Sequence, residues 1–205
     1  MRVMFVGAHP DDIELGAGGT LIKHFRKRDE VLYVVLSKGE KGGDRDEREK
    51  ELLEVLEYLE IKRFKIFNFP DTLLYTKFDE LKNVLEELIS DFKPDRIYTH
   101  SPNDSHQDHR TVAEAVKIAG RRVPQILSFW APSLYSNFHP MYFIDISDVI
   151  EEKVKVLEKF RSQNRRNFLN KEAILSINRY FGFMNNTRFA EGFEIIRYLE
   201  SLREE

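Results

Sequence analysis

RVMFVGAHPDD, residues 2–12, begins as an apolar run and ends in a polar turn that carries His9, Asp11 and Asp12. Arg2–Gly7 is apolar on both faces, as a strand covered on both sides of a parallel sheet must be. The next segment, Asp12–Arg28, carries Ile13, Leu21, Ile22 and Phe25 as one face of a helix, so the stretch reads as strand, loop, helix. The same rhythm continues. Val31–Ser37 is a second buried strand, and after KGEKGGD a helix presents Leu52, Val55, Leu56 and Leu59. Phe64–Phe69 alternates like a strand, and Leu81, Val84, Leu85, Leu88, Ile89 and Phe92 mark an amphipathic helix. Asp95–His100 is a strand and Thr111–Ala119 a helix closed by Gly120. Ile126–Trp130 and Met141–Ile146 are further strands, and a helix is expected from Asp148, where Asp148 and Glu151 fit a capping box.

Strands alternating with helices imply βαβ units. The predicted fold class is therefore α/β: a Rossmann-like three-layer sandwich on a mostly parallel central sheet, one domain over residues 1–205. The stretch from Arg161 onward is less regular, rich in Asn, Arg and aromatics, then strand-like at EGFEIIRY before a polar terminus. It shows no linker composition that would split it off.

Composition narrows the function classes. The 205 residues are 41% hydrophobic, enough for a sizeable core, with a net charge of -3 that argues against a nucleic-acid partner. The absence of cysteine excludes thiolate ligands, disulfides and a Cys nucleophile. No signal-peptide pattern and no apolar run of about 18 residues is found, so a cytoplasmic protein without a membrane partner is expected. Exposed aromatics in the tail would suit a homo-oligomer.

In sheets of this kind ligands bind beyond the carboxyl ends of the strands, and two loops there are crowded with His and Asp. In Gly7-Ala8-His9-Pro10-Asp11-Asp12, His9 and Asp12 offer an imidazole nitrogen and a carboxylate, both good zinc ligands. Asp11 between them is placed to act as a base beside bound water; the plainer use of either Asp is to cap the helix. The second loop, His100-Ser101-Pro102-Asn103-Asp104-Ser105-His106-Gln107-Asp108-His109, holds three of the six histidines. His106 and His109 share one side of a helix start, one for metal and the other for substrate. Asp108 can orient an imidazole by accepting its second N–H; for Asp104, capping serves as well. A two-His, one-carboxylate set suits hydrolytic Zn²⁺ and also non-haem Fe²⁺. Gly16, Gly18 and Gly19 do not make a dinucleotide fingerprint, because position 21 is Leu21; close helix packing is their expected use.

At these loops the sequence resembles the LmbE/PIG-L family of zinc N-deacetylases, whose signatures A-H-P-D-D and H-x-D-H stand here as Ala8–Asp12 and His106–His109. GEKGG (39–43), the R-x-x-E pair Arg48 and Glu51, FPD (69–71), IDISDVIEEK, RSQ and AEGFEIIR are also family-like. The resemblance implies one Zn²⁺ per chain held by His9, Asp12 and His109, with Asp11 as general base and His106 as transition-state acid. Arg48 and Asp71 resemble substrate-contacting positions. The implied activity is removal of an N-acyl group, acetyl, from an amino-sugar derivative such as an N-acetylglucosamine conjugate. A non-catalytic sugar- or nucleotide-binding module and an Fe²⁺ oxygenase on the same ligands are the alternatives.

Overall fold

The computed structural model describes residues 1–163, 166 and 169–200. One seven-stranded sheet runs through the molecule, built from β1 (Arg2–Gly7), β2 (Glu30–Val35), β3 (Phe64–Ile66), β4 (Arg96–Thr99), β5 (Gln125–Phe129), β6 (Tyr142–Asp145) and β7 (Ala190–Tyr198). Its order is β3-β2-β1-β4-β5-β7-β6. The first five strands are mutually parallel, and β7 pairs antiparallel with both β5 and β6. Helices α1 (Asp12–Arg26), α2 (Arg45–Tyr58), α3 (Phe78–Phe92), α4 (Gln107–Ala119), α5 (Ile150–Leu157) and α6 (Lys171–Met184), with two short 3₁₀ helices at Leu74–Lys77 and Arg161–Gln163, complete the described elements. The α/β class with a mostly parallel sheet agrees with the sequence reading.

Two apolar layers form because β1 and β2 bury both their faces. Val3, Phe5, Tyr33 and Val35 pack with α1, α2 and α5 on one side, while Met4, Val6, Leu32 and Val34 pack with α3 and α4 on the other. Close approach explains the glycines of α1. A Cβ on Gly16 would sit 2.4 Å from the Phe129 ring, and one on Gly19 would sit 2.7 Å from Ile146, so neither position has room for a side chain.

Three expectations are corrected. Asp148 does not cap α5: the helix begins at Ile150 with no side-chain cap bond, and the Asp148 carboxylate pairs with Lys23 at 2.8 Å instead. The stretch read as irregular contains the 14-residue α6, opened by the Asn170 side chain accepting the Ala173 N–H at 2.8 Å. The strand expected to run to Phe69 pairs with its neighbour only to Ile66, although the Phe67 and Phe69 N–H groups still donate to Val35 and Leu36 carbonyls. The polar terminus, residues 201–205, lies outside the described residues.

Strand order is what places the site. From β1 the sheet grows one way to β2 and β3, and from β4 the other way to β5. Neighbouring strands β1 and β4 therefore send their following loops to opposite faces, and the crevice between those loops is where such sheets bind ligands. The loops concerned are the two rich in His and Asp.

Candidate metal centre

The turn after β1 is held by its own backbone. The His9 N–H donates to Asp12 Oδ2 at 2.7 Å, and Asp11 adopts φ 93°, the left-handed region. Asp11 stands at the cap position of α1 but makes no side-chain cap bond, so its buried carboxylate is left for the cavity.

Around Asp12 the imidazoles converge. His9 Nδ1 lies 3.4 Å from Asp12 Oδ2, and His109 Nε2 lies 3.4 Å from Asp12 Oδ1. The ligand atoms of His9, Asp12 and His109 all fall within 4.8 Å of one another. Each imidazole is held through its other nitrogen: His9 Nε2 faces Asp71 Oδ1 at 3.0 Å and Asp108 Oδ2 at 3.1 Å, and His109 Nδ1 faces Asp104 Oδ2 at 2.8 Å. Carboxylates behind metal-binding imidazoles fix the tautomer and turn the ligating nitrogen inward. Asp108 is itself fixed by the Thr72 N–H at 2.6 Å and the Leu74 N–H at 3.2 Å.

This density of carboxylates calls for positive charge. Burial alone would lower the His9 pKa, but hydrogen bonds to the carboxylates of Asp108, Asp12 and Asp71 outweigh it and hold it well above the ordinary imidazole value. His109 is likewise pushed up to about 9, because Asp12 and Asp104 overcome burial. Asp12 is held well below the usual range despite burial, by the charges and hydrogen bonds of His109 and His100. A divalent cation would supply the charge that these imidazoles otherwise take up as protons. The donor set of two imidazole nitrogens and one carboxylate fits zinc.

Asp11 differs from its neighbours. Burial pushes its carboxyl up to about 6, against the opposing pull of Arg48. Arg48, on α2 and itself buried, donates to the Gly39 carbonyl at 2.8 Å and the Pro10 carbonyl at 2.8 Å, and its Nη2 lies 3.4 Å from Asp11 Oδ2. The guanidinium thus ties the loop after β2 to the turn after β1. Gly39 permits this by its φ of 72°, and a Cβ there would fall 2.2 Å from Arg48 Nη1. Gly39→Ala should therefore cost about 1–3 kcal/mol of stability and lower turnover by displacing Arg48. Denaturant unfolding and steady-state kinetics check both.

These groups line a cavity of about 220 Å³ that also reaches His106, Lys41, Thr72, Arg166 and, from the loop after β5, Ala131–Ser133. Every site residue expected from sequence meets at this cavity except Asp108, which is buried behind it against His9. Asp71 faces it with both carboxylate oxygens engaged, by His9 and by the Lys41 N–H at 2.8 Å. His106 is the cap residue of α4, its ring 5.0 Å from that of His9 and stacked 4.5 Å from that of His109. Three groups around His109 escaped the sequence reading as parts of the site. Asp104 orients His109, His100 stacks on His109 at 3.9 Å, and Ser133 reaches within 3.4 Å of His109 Nδ1. Only the first two carried a signal, their place in the second loop.

What fold and cavity define together is a class: α/β enzymes working from a His/Asp cluster at the point where the strand order reverses. Residues 4–119 match the family model described as PIG-L, GlcNAc-PI de-N-acetylase, and the chain belongs to that family. It is 30% identical to the diacetylchitobiose deacetylase of Thermococcus kodakarensis, over 95% of this chain and 83% of that protein. Among solved structures, the N,N'-diacetylchitobiose deacetylase of Pyrococcus horikoshii superposes with a TM-score of 0.82 at 24% identity, covering 95% of this chain and 83% of that one. The 4-carboxy-2-hydroxymuconate hydratase GalB of Pseudomonas putida shares the fold, with a TM-score of 0.82 at 21% identity over 98% of this chain and 99% of that one. The fold alone therefore does not fix the reaction; the site must. Among the described residues, no helix is long and apolar enough to cross a membrane.

Proposed function

We propose that this protein is a zinc-dependent N-deacetylase that hydrolyses the acetamide of an amino sugar, such as an N-acetylglucosamine conjugate. One observation carries the reading. Beside the cluster of His9, Asp12 and His109 stands a further buried carboxylate, Asp11, which makes no helix-cap bond and belongs to none of the candidate ligand groups, as an enzyme that activates water requires. Neither an oxygenase nor a binding module has a use for it. A relative at 30% identity is named a diacetylchitobiose deacetylase, which supports the substrate class.

His9, Asp12 and His109 would hold the metal. A zinc ion there supplies Lewis acidity, toward the acyl carbonyl and toward water. Asp11 takes a proton from the attacking water, its raised affinity for that proton coming from burial. As the C–N bond breaks, the departing sugar nitrogen takes up a proton from Asp11 or His106, leaving acetate and the free amine. His106 lines the cavity with its ring stacked on that of His109, and donates a hydrogen bond to the oxygen on which negative charge develops. Arg48 holds the Asp11 turn, and with Asp71 it bounds the space for the sugar. Asp108 keeps His9 turned inward.

The test is acetate release by zinc-loaded protein from a panel of N-acetylglucosamine, diacetylchitobiose and N-acetylglucosamine conjugates. Release from at least one is expected, lost on chelation and restored by zinc. A fully metallated protein that releases acetate from none of them overturns the reading. Activity restored by Fe²⁺ and not by zinc would reassign the metal.

A further inference from the structure

We infer that His106 works as a single tautomer, with Nδ1 committed to capping α4 and Nε2–H presented to the cavity as a fixed hydrogen-bond donor. The inference rests on the deacetylase reading for what the donor meets, though not for the tautomer itself.

The geometry assigns the ring nitrogens. His106 occupies the cap position of α4 with extended backbone, φ -74° and ψ 120°, and its Nδ1 accepts the Asp108 N–H at 3.2 Å. Asp108 is the second residue of the helix, so this N–H is one of the four that a helix start leaves without a partner inside the helix. Side-chain oxygens of Ser, Thr, Asp or Asn normally meet that need; here an imidazole lone pair does. A nitrogen that accepts cannot carry hydrogen, so in the neutral ring the hydrogen is on Nε2. Turning the ring over would set Cδ2–H against the Asp108 N–H and forfeit the cap.

Further contacts hold the residue in place. The His106 N–H donates to Asp104 Oδ1 at 2.8 Å, and the other oxygen of Asp104 grips His109 at 2.8 Å. The ring stacks on His109 at an interplanar angle of 20°. One carboxylate thus sets the spacing between the donor and a metal-ligating imidazole. His106 Nε2 has no hydrogen-bond partner among the described residues, and the residue lines the catalytic cavity. The donor is aimed before substrate arrives, which is the condition under which hydrogen-bond donors stabilise an oxyanion most.

Two amide side chains separate the roles. Asn reaches the Nδ1 position with an oxygen and caps helices well, but has nothing at the Nε2 position. Gln reaches the Nε2 position with an N–H₂ group. His106→Asn should keep its thermal midpoint near wild type and lose turnover about 10²–10³-fold, the usual cost of a missing oxyanion donor. His106→Gln should retain at least tenfold more turnover than His106→Asn, with KM little changed in either. Long-range ¹⁵N–¹H NMR on the zinc-loaded protein should show His106 protonated at Nε2 with a free lone pair at Nδ1. Hydrogen on Nδ1, or His106→Asn matching or exceeding His106→Gln in turnover, overturns the inference. If wild-type protein deacetylates nothing yet the NMR pattern holds, the functional reading fails and the tautomer stands.

Discussion

Asp11→Asn is expected to lower turnover by about 10²–10⁴ while the metal content matches that of the wild type. The substitution is nearly isosteric, and the amide oxygen can still meet Arg48 Nη2, which lies 3.4 Å from the carboxylate. The turn should survive, because φ 93° is a conformation that Asn tolerates. What disappears is a lone pair basic enough to take a proton from water. The wild-type carboxyl is pushed up to about 6 by burial, so it is ionised at neutral pH and still a stronger base than an ordinary carboxylate. Wild-type activity should fall as pH drops through about 6, and the variant should lack that limb. His109→Ala is the contrasting control: it removes a proposed ligand and should lose the metal. Metal analysis beside steady-state kinetics separates the two, and near-normal turnover in Asp11→Asn would show that another group is the base.

That contrast depends on residues the sequence exposed unevenly. The loops after β1 and β4 were legible because His and Asp crowd into short segments just past apolar runs, and a helix cap alone needs only one of them. The α/β class was legible because the strands on either side of the switch point are apolar on both faces. Partnership across distance was not legible. Asp108 lies 3.1 Å from His9, 99 residues away, while the nearer His106 and His109 turn elsewhere. Spacing showed that Asp108 could hold an imidazole and was silent on which one. Likewise Asp104 reads as a cap in sequence, and in the fold one carboxylate oxygen meets the His106 N–H while the other meets the His109 ring. The antiparallel insertion of β7 between β5 and β6 left no local mark, since EGFEIIRY alternates as any strand might. Helix α6 was hidden because its buried side is short, with Ile174, Asn178 and Phe181 inside and Tyr180, Phe183 and Met184 exposed. That mixture lacks the clean apolar stripe that made α3 visible.

A buried ion pair outside the catalytic cavity gives the largest stability effect. Lys153 on α5 and Glu191 on β7 are both nearly inaccessible, with Nζ and Oε1 2.6 Å apart. They sit where α1 is broken: Ala17 has φ -143°, outside the helical range. An unbroken helix would join the Gly19 N–H to the Leu15 carbonyl. Here the Leu15 carbonyl accepts from Lys153 Nζ at 2.8 Å, and the Gly19 and Thr20 N–H groups donate to the two oxygens of Glu191 at 2.8 and 2.7 Å. The pair bridges the interrupted helical hydrogen bond, with Asn178 Oδ1 as a further partner of the lysine at 3.3 Å. Lys153→Met keeps most of the volume and leaves Glu191 as an uncompensated charge in the core. Removing one partner of such a pair costs about 3–5 kcal/mol, which for a chain of this size lowers the melting temperature by roughly 6–20 °C. Because Leu15 lines the cavity and Asp12 opens the same helix, metal affinity should fall as well. Adding Glu191→Gln should recover part of the loss, since the stranded charge is gone, so the two substitutions should be non-additive by about 0.5–3 kcal/mol. A Lys153→Met cost below 1 kcal/mol, or strict additivity in the double variant, would mean that the break in α1 is held by packing of Gly16 and Gly19 alone and that the ion pair is incidental to it.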